Sequence, residues 1–301
     1  MKSGFVSLIG RPNAGKSTLI NQFIGTKIAI VSDKPQTTRT RILGVQHGTQ
    51  ERPGQVVFVD TPGIHRPLHR MNVRMVDVAI ESIGAVDVVA LVRDATDGFG
   101  AGDRFVLKAL VSVTVPVILI LNKIDLIAKG RLLPIIDWYR RQREFTAIVP
   151  VSALTGDGVD IVEREIIGQL PEGEPLYPDD FLTDQPERVL AAETVREKVL
   201  RHTHAELPFT TAVVVDRFDD ETEPGLLRLY CSILVERSSQ KPIVIGHGGA
   251  LGRQIGTEAR QDLERFFGTR VFLDLHVKVR PEWRENDRIL DQAGVAPKTR
   301  G

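Results

Sequence analysis

The sequence predicts two α/β units in series: a doubly wound, mostly parallel sheet, then a smaller α+β domain. Three observations carry that expectation. Apolar, β-branched runs alternate with helix-like stretches through residues 1–171. A glycine-rich turn, "GRPNAGKS", follows the first of these runs and opens a helix. From residue 188 the alternation gives way to helix, strand, strand, helix, glycine loop, helix and strand. The length of 301 residues agrees, because single cores rarely grow past about 250 residues.

The strands of the first unit are read from "GFVSLIG", "QVVFVD", "DVVALVRD", "PVILILN" and "TAIVPVS". Runs that are apolar on both alternating positions suit strands buried on two faces, as in a parallel sheet. "RILGVQHG" is linked to "QVVFVD" by a short polar segment with Pro and Gly, which predicts one antiparallel hairpin at a sheet edge. The stretch at 172–187, rich in Pro and acid and without periodicity, is read as an interdomain linker. Residues 188–301 form the second domain with its C-terminal tail.

Bulk composition sets bounds. Lys plus Arg equals Asp plus Glu at 39 each, so no global charge demands an acidic partner. Residues 1–171 carry about five more basic than acidic groups and the rest about five fewer. A nucleic-acid site in the second half must therefore be local. The one cysteine, Cys231, lies in an apolar run and reads as a buried thiol in a reducing compartment. The first residues lack the long apolar region of a signal peptide, and the longest apolar run is broken by charge short of the ~20 residues of a membrane span. A cytoplasmic location follows as the expectation.

The glycine-rich turn, Gly10, Arg11, Pro12, Asn13, Ala14, Gly15, Lys16 and Ser17, has the spacing of a phosphate-binding loop and continues with Thr18. Its glycines let backbone N–H groups curl around phosphates at a helix N-terminus. Lys16 reaches the β- and γ-phosphates, and the Ser17 hydroxyl suits Mg²⁺. Three further stretches choose guanine. "DTPG" supplies Asp60, Thr61, Pro62 and Gly63, with Asp60 on Mg²⁺ through water and the Gly63 N–H on the γ-phosphate. "NKID" supplies Asn122, Lys123 and Asp125; the Asp125 carboxylate accepts from guanine N1–H and N2–H₂, which adenine does not offer. In "SAL", Ser152, Ala153 and Leu154, the Ala153 N–H suits guanine O6. The polar loop at 32–41 is placed as a switch whose Thr38, or else Thr37, ligates Mg²⁺ when a γ-phosphate is present. The residues assigned to hydrolysis are Lys16, Thr38, Asp60, Gly63 and Asn13. Ile64 stands where some GTPases carry a water-orienting Gln, so Asn13 is placed beside a potassium ion that supplies charge.

The second glycine cluster, "IGHGGALGRQIG", fails both nucleotide patterns. No Lys-Ser/Thr follows, and Leu251 occupies the position a dinucleotide fingerprint needs as Gly. It contains G-x-x-G at Gly246, His247, Gly248 and Gly249. With the element order α-β-β-α-α-β this is the layout of a KH domain, whose loop clamps single-stranded nucleic-acid backbone. Arg253 adds charge, and Ile243, Ile245 and Ile255 are placed along the base groove. His202 and His204, spaced i,i+2, fall on different helix faces and read as surface residues. "WYRRQRE" reads as a solvated basic helix face. Two other readings stay open on the residues alone. One is a signalling GTPase whose second half binds protein. The other is an RNA-dependent ATPase, against which Asp125 argues.

"GRPNAGKST", "KPQTTRTRILG", "DTPGIHRP", "NKID" and "VSAL", followed by "PEGEPLYPDDFLTDQPER", "REKVL", "VERSSQKPIVIGHGGA" and "IGTEAR", resemble the Era family over nearly the whole chain. The resemblance implies a P-loop GTPase domain followed by a type II KH domain. It implies binding to 16S ribosomal RNA near its 3′ end, assistance to 30S subunit maturation, Mg²⁺, a monomer in the cytoplasm, and peripheral association with the cell membrane. The sequence departs from the family in its G-x-x-G loop, whose inner residues are His247 and Gly248 where a basic residue is common. Gly252 weakens the helix that follows.

Overall fold

The computed structural model describes residues 1–34, 36–48, 53–67, 69–220 and 224–295. The hairpin connection at 49–52, the turn residues 221–223 and the tail from 296 lie outside the described residues. The chain divides into two compact units, one ending at Asp184 and the other spanning 185–301 together with two short upstream segments.

In the first unit the elements run β1 (Lys2–Gly10), α1 (Lys16–Ile24), β2 (Ile42–His47), β3 (Gly54–Asp60), α2 (Arg70–Glu81), β4 (Val88–Asp94), α3 (Ala101–Ala109), β5 (Val117–Asn122), α4 (Leu132–Arg140), β6 (Ala147–Pro150) and α5 (Val159–Gln169). The sheet order is β2-β3-β1-β4-β5-β6. Only β2 is antiparallel, paired with β3 as the predicted edge hairpin. Alternate strand residues go to opposite faces. Val6, Leu8, Ala90, Ile118 and Ile120 pack under α1 and α5, while Ile9, Leu91, Leu119 and Leu121 pack under α2, α3 and α4. Because the strands run parallel, Gly10, Asp60, Asp94 and Asn122 all close their strands at one edge of the sheet. That is where an open α/β sheet binds ligands.

The stretch read as a linker is largely bound to this unit. Ser3 N donates to Pro171 O at 3.0 Å and Gly173 N to Met1 O at 2.9 Å. The buried Gln55 carboxamide accepts from Leu176 N (2.6 Å) and Tyr177 N (2.9 Å) and donates to Tyr177 O (2.8 Å). Tyr177 and Phe181 stack at 4.6 Å over Leu43, Val45 and Val57. Val45 N then donates to Leu182 O at 2.9 Å, so the strap shields the edge strand β2 from pairing elsewhere.

The second unit runs α6 (Glu187–His202), α7 (Leu207–Thr210), β7 (Ala212–Asp219), β8 (Leu226–Val235), α8 (Lys241–Ile245), α9 (Ala250–Phe267), β9 (Arg270–Val279) and α10 (Asp287–Gln292). The order is the predicted one, with the one-turn α7 and terminal α10 added. Its sheet is β7-β8-β9, antiparallel then parallel, and the parallel pair is joined by the α8–α9 crossover. Helices α6 and α9 cover one sheet face around Val195, Val199, Leu229, Cys231, Ile255 and Leu263. His202, read as a surface residue, is half-buried, and its Nε2 lies 2.9 Å from Glu258 Oε1 on α9. His204 is exposed past the end of α6.

Candidate nucleotide site and glycine loop

Gly10 ends β1 and Arg11–Gly15 turn into α1. Gly15 is the N-cap at φ 91 with no side-chain cap, so the first N–H groups of α1 face outward for an anion. A Cβ on Gly15 would collide with Asn122 Nδ2, which excludes every other residue there. Pro12 packs against Gly63, and Asn13 stands at φ 62. Ala14 is buried and Thr18 half-buried. The Arg11 side chain leaves the loop, pairing with Asp97 at 3.1 Å and Asp103 at 3.6 Å. Its carbonyl accepts from Lys16 Nζ at 3.3 Å, so Arg11 serves the loop through its main chain.

The three residues expected around Mg²⁺ converge. Ser17 Oγ donates to Asp60 Oδ2 at 2.7 Å and lies 2.7 Å from Thr38 Oγ1. Thr38, rather than Thr37, is the switch residue that the geometry brings to this cluster. Asp60 Oδ1 is buried and makes no hydrogen bond of good geometry. Two hydroxyls and a half-satisfied carboxylate are the hard oxygen donors that suit Mg²⁺. Burial pushes the Asp60 carboxyl up from the ordinary range, against the pull of Lys16 and Ser17. Burial lowers Lys16, against the Asp60 charge. Each therefore leans on the other, and on whatever charge enters the site, to remain ionised.

The Thr61 hydroxyl donates to Leu8 O at 2.8 Å, anchoring the start of the second switch segment to β1. Pro62 and Gly63 are buried. Ile64 is 1 % exposed within the core under α2 and α3, and its N–H donates to Gly10 O at 2.9 Å. Its side chain therefore points away from the phosphate loop. His65 follows: Nδ1 lies 2.8 Å from Gly63 O, which requires the proton on Nδ1, and Nε2 lies 3.4 Å from Gln36 Nε2. Gln36 and His65 thus join the two switch segments, a pair that no motif in the sequence marks.

Asn122 is the centre of the base-recognition region. Its Nδ2 donates to Ala14 O at 2.9 Å and its Oδ1 accepts from Ala153 N at 2.9 Å. One buried side chain so ties the "NKID" turn to the phosphate loop and to "SAL". Asp125 is exposed. Its desolvation would come from the base that covers it. Ser152 is buried and its Oγ accepts from Thr155 N at 3.2 Å; Ala153 is buried and Leu154 is 78 % exposed. Lys123, at φ 65, extends its ammonium to Asp94 at 2.5 Å. No motif marks Asp94. Its signal was there: like Asp60 and Asn122, it is a polar residue closing an apolar strand at the sheet's C-terminal edge.

In the second unit Gly246 caps α8 at φ 74, Gly248 stands at φ 55 and Gly249 caps α9 at φ 78. His247 and Gly248 are exposed, and Arg253 is exposed one turn into α9. Ile243 is 52 % exposed and Ile245 half-buried, so both reach the surface beside the loop. Ile255 does not: at 0 % exposed it is a core residue, stacked with Ala259 and Leu263 along the inner face of α9. It is removed from the groove. Gly252 leaves α9 helical without interruption.

Residues 5–123 match the family described as 50S ribosome-binding GTPase, and residues 212–284 match the KH domain. The chain is 48 % identical to GTPase Era of Geobacter metallireducens over 97 % of each chain. It is 47 % identical to GTPase Era of Ruminiclostridium cellulolyticum over the same shares. A solved structure of an Aquifex aeolicus Era variant bound to GDP and AlF₄⁻ is 41 % identical, with a TM-score of 0.93 over 98 % of this chain and 100 % of that one. Another, Era with MgGDPNP and nucleotides 1506–1542 of 16S ribosomal RNA, is 41 % identical with a TM-score of 0.94 over 98 % and 99 %.

Proposed function

The chain belongs to the Era family of GTPases, and on that premise we propose that it is a GTP-driven switch that binds 16S ribosomal RNA near its 3′ end and assists maturation of the 30S subunit. The observation that carries this reading is the pairing, in one chain, of the Ser17–Thr38–Asp60 cluster with an exposed loop of positive-φ glycines. The relative solved with 16S RNA supports the choice of RNA. The GTPase domain is taken as 1–171, the RNA-binding domain as 188–301, and 172–187 as the segment between them.

In this mechanism the N–H groups of residues 13–18 wrap the α- and β-phosphates, and Lys16 meets the β- and γ-phosphates. Ser17 Oγ and Thr38 Oγ1 would hold Mg²⁺, with Asp60 acting through water. When bound, Mg²⁺ offsets the charge on the β- and γ-phosphate oxygens. Because Thr38 belongs to the switch loop, a γ-phosphate that favours its closed position orders the loop. The Gly63 N–H meets the γ-phosphate. Ile64 gives the attacking water nothing, so charge must come from elsewhere, and we assign it to K⁺ beside Asn13. Equal turnover in potassium and sodium would remove that assignment. Asn122, Lys123, Asp125 and Ala153 select guanine.

Gly246–Gly249 then lie against RNA backbone, with Ile243 and Ile245 beside the bases and Arg253 supplying charge. His247 and Gly248 leave less fixed positive charge in the loop than relatives commonly carry. We place the protein in the cytoplasm as a monomer, with peripheral contact to the inner face of the cell membrane; no described helix is long and apolar enough to cross one. The test is RNA affinity, using a 16S 3′-end fragment, with a GTP analogue, GDP or no nucleotide. A difference between states is expected, and Gly248→Asp should weaken binding in all of them. Equal affinity in the three states defeats the switch; binding unmoved by G248D defeats the loop assignment.

A further inference from the structure

Lys123 does not stand alone in the guanine loop. Its ammonium meets Asp94 Oδ2 at 2.5 Å. Asp94 closes β4 in register with Asn122 of β5, so the carboxylate and the loop leave the sheet side by side. The other oxygen, Oδ1, accepts from Thr96 N at 2.9 Å and Thr96 Oγ1 at 2.6 Å. The carboxylate is held from both sides. Burial alone would raise its pKa, but the bonds from Lys123 and Thr96 outweigh burial and leave it below the usual range. It is therefore an anion at neutral pH.

A second layer fixes the main chain beneath it. Arg93 Nη1 donates to Asp94 O and Nη2 to Asp97 O at 2.8 Å. The Arg93 guanidinium is buried against the rings of Phe99 at 5.1 Å and Tyr139 at 5.8 Å. Tyr139 in turn donates to Asp103 Oδ1 at 3.0 Å. The strand end that carries Asp94 is thus built rigidly, unlike a surface carboxylate that a lysine happens to reach.

A lysine stem has among the largest rotamer entropies of any side chain, and laying it over a base removes that freedom on binding. A group that removes it beforehand shifts the loss into folding and raises affinity. We propose that Asp94 is a positioning residue for guanine nucleotides: by holding the Lys123 ammonium it lays the lysine stem along the base slot before GDP or GTP arrives. This rests on the reading of Asn122–Asp125 as the base loop. Since the stem meets the base and not the phosphates, Asp94 acts equally on GDP and GTP and leaves the hydrolytic step alone.

The experiment measures dissociation constants for GDP and a non-hydrolysable GTP analogue, with single-turnover hydrolysis at saturating GTP, in D94N, K123A, the double variant and D125N. D94N should weaken both nucleotides about tenfold and by the same factor, with the saturating rate kept within about twofold. The double variant should bind no worse than K123A, because the two residues act as one. Unchanged GDP affinity in D94N, a loss that separates GTP from GDP, or additive losses in the double variant would each overturn the proposal. If D94N fails to fold, D94S keeps an acceptor for Thr96 and the same comparisons apply. D125N separates the premise from the proposal: with no shift towards xanthosine nucleotides, the base-loop reading falls and takes the proposal with it.

Discussion

Replacing Asn122 by Ala removes a side chain that joins three loops of the nucleotide site. In the folded protein Asn122 is 2 % exposed, donates to Ala14 O at 2.9 Å and accepts from Ala153 N at 2.9 Å. Both partners are buried main-chain groups, and alanine leaves each without a partner. An orphaned buried donor or acceptor costs about 1–3 kcal/mol, so the pair amounts to about 2–6 kcal/mol. The loss divides between the stability of the first unit and its affinity for nucleotide, because the three loops must be held together for either. At tenfold per 1.4 kcal/mol, the lower bound felt wholly in binding is roughly a 30-fold loss of GDP affinity. Two assays separate the shares. Titration with a fluorescent GDP analogue gives affinity. Urea unfolding gives stability, read on Trp138 in a W283F background, since the chain has two tryptophans, one in each unit. Excess GDP should recover part of the lost midpoint by mass action. If N122A binds GDP within about threefold of the parent and the Trp138 midpoint does not move, these two bonds do not hold the site together, and the tie inferred from them is wrong.

The second unit makes its own predictions. Cys231 is buried, and burial with the Asp216 and Asp274 charges pushes its thiol up to about 12. At pH 8 only about one molecule in ten thousand carries a thiolate, so labelling by a thiol reagent should follow unfolding of this unit; prompt labelling of folded protein would contradict the burial. Gly246→Ala places a Cβ 2.7 Å from Leu251 Cβ at φ 74, whereas Gly248→Ala meets nothing within 4 Å. The first should cost about 2–3 kcal/mol and the second about 1 kcal/mol, by the Cys231 unfolding midpoint; equal costs would mean that the Gly246–Leu251 contact is slack. In the first unit, Gln55→Ala removes the three hydrogen bonds that hold Leu176 and Tyr177. Limited proteolysis within 172–184 should speed up, and an unchanged cleavage rate would show that the aromatic stack and the main-chain bonds hold the strap without Gln55.

The boundary between what the sequence disclosed and what it concealed follows the range of the interactions. Strands β1, β4 and β5 are legible because helices cover both sheet faces, which makes most positions of both alternations apolar. The phosphate loop, Asp60 and Asn122 were legible because a strand's C-terminal end is a fixed address, and polar residues there have few structural reasons to exist. Asp94 satisfies the same criterion, but no short motif marks it, since its partner Lys123 stands in the turn just past the end of the next strand. Ile255 was misplaced for a different reason. Its grouping with Ile243 and Ile245 follows the glycine loop, whereas the informative neighbours are Ala259 and Leu263, one and two turns on. That i, i+4, i+8 stripe is the core face of an amphipathic helix and could have been counted. His202 was rightly kept off the face of His204, yet the spacing rule says nothing of α9, which brings Glu258 to it. The strap at 172–184 carries the point furthest. Its Pro-rich, aperiodic composition excludes helix and regular strand, and in that the reading was sound. Composition limits what a segment can form with itself. What it touches was decided by Gln55, whose single amide supplies the donor and acceptors that an aperiodic main chain needs, and by the unpaired edge of β2, which any sheet of this order must cover.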